Sequence, residues 1–141
     1  MMNESIQSLM TKEVITLQTN QTLGDAHSIL MNNRVHHIPV LEGKKLVGMI
    51  TSWDIFKLGK SYEDYQGINV QEVMTRRLAT SEPDQHVGAV AEILMEHLFH
   101  AVPIVNDDHE LVGIITSYDL LRYEFRKEYP EDLSPFVPLN M

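Results

Sequence analysis

The sequence predicts a mixed α/β (α+β) fold of two β-α-β-β-α repeats packed about a pseudo-two-fold axis, and three observations carry that prediction. The stretch Leu46-Val47-Gly48-Met49-Ile50-Thr51-Ser52-Trp53-Asp54 returns as Leu111-Val112-Gly113-Ile114-Ile115-Thr116-Ser117-Tyr118-Asp119. Met10-Thr11 returns 64 residues later as Met74-Thr75, a period longer than the usual solenoid units and suited to a two-copy domain. Between these markers each copy carries the same helical pattern. Leu23, Ala26, His27, Leu30 and Met31 recur in phase as Val87, Val90, Ala91, Leu94 and Met95, one face of a 3.6-residue period.

Taken in order, Met1 to Leu9 reads as an amphipathic lead-in, and Val14-Ile15-Thr16-Leu17 as a first strand followed by a polar turn from Gln18 to Gln21. The first long helix ends at Asn33-Arg34. His37 to Leu41 forms the second strand, where Pro39 has no N–H for a central ladder and belongs on an edge or beside an opening. Glu42-Gly43-Lys44 is a hairpin turn, Leu46 to Ile50 the third strand, and Ser52 to Leu58 the second helix. The connection carries Tyr62 and Tyr65. In the second copy Leu78-Ala79-Thr80 answers the first strand, His100 to Val105 answers His36 to Leu41, and the turn Asn106 to His109 gains one residue. A final helix runs from Ser117 to about Tyr129, and Pro130, Pro135 and Pro138 keep the remaining tail extended. The divisions are residues 1–58, a connection at 59–69, residues 70–126 and a tail at 127–141. A half of about 60 residues buries its apolar faces poorly alone, so the two pack together.

Composition sets the limits. The chain has 141 residues, 43% hydrophobic and 22% charged, with no cysteine, which removes thiol catalysis, cysteine zinc sites and disulfides together. The first residues lack the basic and apolar regions of a secretory signal, and no apolar stretch reaches membrane-spanning length, so a cytoplasmic protein with no membrane insertion is expected. A formal charge of −9 without a basic stripe argues against nucleic acid. No phosphate-binding glycine loop, dinucleotide fingerprint or nucleophile elbow is present, so an enzyme is not expected. His97-x-x-His100 invites a metal, but Asn33 stands at the place of His97 in the first copy and the remaining ligands would come from scattered carboxylates.

The chemistry concentrates in Thr51-x-x-Asp54 and Thr116-x-x-Asp119. This spacing lets an N-cap hydroxyl and an N3 carboxylate satisfy each other's backbone donors, and taken singly it does no more than start a helix. A helix start also presents unpaired N–H groups and the positive end of its dipole, which suit an anion. Recurrence after the same strand raises the second reading.

Met-Thr, an amphipathic helix, His-x-x-Pro-Val or His-x-x-Pro-Ile, and Leu-Val-Gly-x-Ile-Thr-Ser-x-Asp, each present twice, resemble the tandem cystathionine β-synthase (CBS) domain pair, or Bateman module, from about Ile6 to Arg126. The resemblance implies a stand-alone regulatory module with two clefts for adenosine-containing ligands: AMP, ADP, ATP, S-adenosylmethionine or NAD-type molecules. It implies Asp54 and Asp119 on ribose hydroxyls, with Thr51 and Thr116 near ribose or phosphate. Thr16, Ile38, Pro39, Thr80, Val102 and Pro103 fall where the adenine would lie. Phosphate partners are sought among Lys12, Arg34, Arg76, Arg77, His36 and His100. The Arg76-Arg77 pair, opposite Lys12-Glu13 in the first copy, predicts unequal sites with the stronger anion pocket near Arg76 or Arg77. No cofactor is required, although magnesium can accompany bound phosphates. A homodimer and an unidentified regulated protein are the implied partners. The competing reading is a ligand-free dimerisation or docking module, for which Tyr62, Tyr65, Tyr123, Phe125, Tyr129, Phe136 and Val137 are available.

Overall fold

A computed structural model describes residues 2–97 and 100–131, without the side chain of His97. The expected tail with Pro135, Phe136, Val137 and Pro138 lies outside the described residues, as does the imidazole of His97. The elements run β1 (Leu17–Gln18), α1 (Leu23–Asn32), β2 (His37–Glu42), β3 (Lys45–Thr51), α2 (Ser52–Phe56), α3 (Val70–Val73), α4 (Val87–His97), β4 (Ala101–Val105), β5 (Leu111–Thr116) and α5 (Ser117–Glu128).

Local chemistry explains where the helices begin. Thr22 with Asp25, Thr51 with Asp54, Asn69 with Glu72, and Thr116 with Asp119 each form a complete capping box, so the backbone donors of each first turn find partners. Gly43, at φ 66°, supplies the left-handed residue of the first hairpin. His109, at φ 62°, holds the corresponding conformation in the longer second turn.

The two sheets differ. In the first, β1 runs parallel to β2, which pairs antiparallel with β3; the second consists of β4 and β5, antiparallel. Both hairpins shift register at the same place, between Val40 and Leu41 and between Ile104 and Val105. The expected first strands are therefore corrected. Strand pairing in the first copy is confined to Leu17–Gln18, and Leu78-Ala79-Thr80 forms no strand, leaving a parallel bridge between Ser81 and Ile104. The reason is that the residues ahead of each strand are drawn to the other repeat. Thr11 N donates to the Ile114 carbonyl at 2.9 Å and Ile114 N returns a bond to Thr11 at 3.0 Å. Thr75 and Met49 exchange the equivalent pair, each at 2.9 Å. Pro39 fits its strand because β1 reaches only Val40 and Leu41, so no ladder donor is missed.

Each repeat has its own core, with Leu23, Ile38, Val40 and Ile50 in one and Val90, Val102, Ile104 and Ile115 in the other. Ile6, fully buried, joins the second core, so the lead-in seals the repeat more distant in sequence. Between the repeats lie two smaller apolar clusters, Leu41, Leu46 and Val105, and Met49, Ala101 and Ile114. The apolar stripes of α1 and α4 stop one position short of expectation. Met31 and Met95 are 70% and 71% exposed. The connection is more ordered than a plain linker, containing a 3₁₀ turn at Tyr62–Gly67, and α3 follows it at the start of the second division. No described helix is long and apolar enough to cross a membrane.

Candidate functional site

A cavity of about 970 Å³ opens where the repeats meet. Thr11, Glu13, Val14 and Ile15, ahead of β1, form one wall, and Arg34 to His37, entering β2, form the next. The starts of α2 and α5 supply Thr51 to Trp53 and Thr116 to Asp119, with His100, Ile114 and Arg122 completing the lining. Backbone bonds fix the two histidine-bearing turns against the two helix starts: Ser52 N donates to the His36 carbonyl at 3.3 Å and Ser117 N to the His100 carbonyl at 3.1 Å. Hence the repeated sequence becomes a repeated geometry around one space.

Asp119 is only 6% exposed. Its Oδ2 accepts from Thr116 N at 2.8 Å and from Thr116 Oγ1 at 3.1 Å, while its Oδ1 lies 3.7 Å from Arg122 Nη2. A carboxylate has about four lone-pair sites, so the cap leaves acceptor capacity on a residue that lines the cavity. Asp54, 3% exposed, is engaged more fully. Thr51 N donates to its Oδ2 at 2.9 Å, Thr75 Oγ1 from the other repeat donates to its Oδ1 at 3.4 Å, and Lys57 Nζ lies 3.5 Å from Oδ1.

His36 and His100 line the cavity and are exposed, and His37 lines it half-buried. The His37 and His100 ring centroids are 6.2 Å apart. Burial above all, then the neighbouring His100 and His36, hold the His37 imidazole below its usual range, with Asp54 pulling the other way.

The remaining sequence-derived positions lie elsewhere. Ile38 and Val102 are fully buried in the two cores, and Pro39 and Pro103 are buried beside them, so these side chains form core rather than cavity wall. Thr16 precedes β1 without lining the cavity, while Thr80 lines a second cavity of about 550 Å³. Arg76 and Arg77 are exposed and do not line the larger cavity; Arg76 Nη2 instead donates to the Gln71 carbonyl at 3.2 Å. Sequence reasoning passes over His37, Arg122, Trp53 and Tyr118 as lining residues. Arg122 is accessible to it through the i,i+3 spacing from Asp119, and His37 through its place beside His36. No group of three or more His, Cys, Asp or Glu is placed to hold a metal among the described residues.

Known proteins resemble this chain in sequence and in fold. The chain is 35% identical over 118 residues to L-aspartate semialdehyde sulfurtransferase of Methanocaldococcus jannaschii, covering 83% of this chain and 22% of that protein. It is 30% identical over 138 residues to an uncharacterised protein of the same organism, covering 96% of this chain and 50% of the relative. The chain thus spans about a fifth to a half of the length of these relatives. Among solved structures, the CBS domain pair of protein MJ0100, in complex with 5′-methylthioadenosine and S-adenosyl-L-methionine, is 33% identical with a TM-score of 0.78. That match covers 89% of this chain and 98% of the other. The CBS domain model matches residues 6–61 and again residues 70–126, and with both repeats placed in the fold the chain belongs to the CBS domain family.

Proposed function

We propose that this chain is a regulatory, non-catalytic module of the cytoplasm that binds an adenosine-type ligand between its two repeats and signals its occupancy to a partner protein. The observation that carries this reading is the cavity of about 970 Å³ with Asp119 at its wall, a size at the upper end of small-molecule sites. Val14 and Ile15 offer an apolar face for a purine, and Asp119 Oδ1 offers an acceptor for ribose hydroxyls. A charge-assisted bond of that kind contributes about 1.5 to 3 kcal/mol. The ligands held by the 33% identical domain pair support the same chemistry. Magnesium enters only as a companion of ligand phosphates. Signalling results if the ligand favours one packing of the two repeats over another, since it shifts that equilibrium only by its differential affinity.

A homodimer belongs to this reading, supported by exposed apolar residues at matching positions of the two repeats. Met31, Trp53 and Phe56 in the first correspond to Met95, Tyr118 and Leu121 in the second, all largely exposed. Such a face buries apolar surface against a symmetry-related copy. It also supports the second reading, a dimerisation or docking module without a ligand.

Calorimetric titration with AMP, ADP, ATP, S-adenosylmethionine and NAD tests the proposal, with Asp119→Ala alongside. Binding of at least one ligand, weakened about tenfold or more in the variant, is expected. Equal affinity in the variant contradicts the role of Asp119. No heat from any ligand, with a two-chain mass by light scattering, selects the second reading.

A further inference from the structure

The duplication makes each repeat a control for the other. In the first repeat, Ile68 ahead of α1 and Leu58 just past α2 both pack against the core, and Leu23 N donates to the Ile68 carbonyl at 2.8 Å. In the second repeat the lead-in takes this place. Val87 N donates to the Glu4 carbonyl at 2.9 Å, and the positions of Ile68 and Leu58 are held by Glu4 and Tyr123. The Tyr123 hydroxyl donates to Glu4 Oε2, and Lys127 Nζ stands 4.3 Å from the tyrosine ring centroid. An apolar seal in one copy is an exposed polar latch in the other.

We propose that the outer end of the lead-in, Met2 to Glu4, is a strap that Tyr123 fastens to α5 and that ligand in the larger cavity tightens, so that occupancy reaches the surface of the second repeat. The coupling to ligand rests on the adenosine reading above.

The two ends of the lead-in are held differently. At the inner end Ile6 is fully buried in the second core, its N–H donates to the Gln85 carbonyl at 2.8 Å, and Thr11 and Ile114 exchange backbone bonds. At the outer end Met2 and Glu4 lend carbonyls to Gly88 N and Val87 N, each at 2.9 Å, and the Glu4 side chain is exposed. Lifting that end frees two donors of the first turn of α4, which water can satisfy, and leaves Ile6 in place. Openings of this kind belong to the low-stability end of a structure. The latch is a neutral donor on an ionised acceptor near pH 7: the bond from Tyr123 holds the Glu4 carboxyl below its usual range, while burial and then the bond to Glu4 push the phenol up.

The latch also stands on the cavity's own helix. Asp119 and Arg122 line the cavity from the first turns of α5, and Tyr123 follows directly. The chain leaving the lead-in lines the same cavity with Thr11 and Glu13. A ligand touching both walls holds α5 against the lead-in, and it favours the fastened state by its differential affinity for the fastened and lifted arrangements.

Amide hydrogen exchange of the full chain, read as protection factors, tests the strap, with Tyr123→Phe and Glu4→Ala beside wild type. Without ligand, Val87 and Gly88 should be less protected than the anchor Ile6 and than Leu23, whose bond is the equivalent of Val87's. Either variant should lower the protection of Val87 and Gly88 by about threefold to tenfold, the measure of one hydrogen bond, and leave Leu23 and Val70 unchanged. Saturating AMP or S-adenosylmethionine, with binding established by calorimetry, should raise protection at Val87 and Gly88 in wild type and raise it less in Tyr123→Phe. Protection at Val87 and Gly88 equal to that at Leu23, and unmoved in both variants, overturns the strap. Binding heat without added protection overturns the coupling and leaves the adenosine reading standing. No heat from either compound overturns the adenosine reading and the coupling together, and the ligand-free variants then decide the latch.

Discussion

The carboxylate of Asp119 closes the first turn of α5 through Oδ2 and keeps Oδ1 toward Arg122, so one side chain serves both the helix and the cavity. Such a residue is legible in sequence because the cap spacing is local. Thr51, Asp54, Thr116 and Asp119 emerge from four-residue patterns alone. His37 is different, because its significance comes from His100, across the repeat junction, which no local pattern encodes. Its folded-state value lies below that of an unfolded histidine, chiefly through burial. The unfolded chain therefore binds the proton more readily, and the stability His37 contributes is present above the unfolded value of about 6.5 and lost as pH falls below it toward the folded value. Thermal unfolding of the ligand-free protein should show a midpoint that drops between pH about 7.5 and about 5.5, and drops less in His37→Gln. An identical drop in the variant contradicts this account of His37.

At the scale of elements, the repeated Leu-Val-Gly stretch does more than supply a strand. Gly48 and Gly113 sit where the methionine ahead of the other repeat crosses β3 and β5. A Cβ at Gly48 would lie 2.4 Å from Met74 Sδ, and one at Gly113 would lie 2.6 Å from Met10 Sδ and 3.0 Å from the Thr11 carbonyl oxygen. These glycines permit the close approach that lets Thr75 and Thr11 pair with the opposite sheet. Gly48→Ala and Gly113→Ala should each lower unfolding stability by about 1 to 3 kcal/mol, the usual cost of overpacking. Gly67→Ala, with nothing within 4 Å of its added carbon, serves as the control in denaturant titration. Equal stability of all three variants would show that the methionine crossings tolerate the added methyl. The same crossings explain why local composition overstates the first strands. Val14-Ile15-Thr16 and Leu78-Ala79-Thr80 have strand composition, but their neighbours' backbone bonds go to the other repeat, and a long-range partner leaves no mark in a short window. The starts of α1, α2 and α5, set by local caps, are legible closely, whereas the capped single turn of α3 is too short to show an apolar period.

At the scale of the molecule, duplication is legible from the sequence, and so is the need for the halves to pack together. The interlocking is not. The lead-in completes the second core through Ile6, Thr11 bridges to β5, and Thr75 bridges to β3, so neither repeat is a separable unit. The large cavity lies at this junction, which gives a ligand there a hold on both repeats. Apolar positions also mean different things at this scale. Met31 and Met95 continue the helical stripe in sequence yet face outward, together with Trp53, Phe56, Tyr118 and Leu121, because the packed pair has no further core to offer them. The most direct test of ligand binding between the repeats is a ¹H–¹⁵N correlation spectrum of the full chain titrated with AMP. Amides of Val14, Ile15, His36 and His37 should shift along one saturation curve with those of Thr116, Ser117 and Asp119. Shifts confined to one repeat, or centred on Thr80, Ser81 and Asn106 at the second cavity, would contradict it.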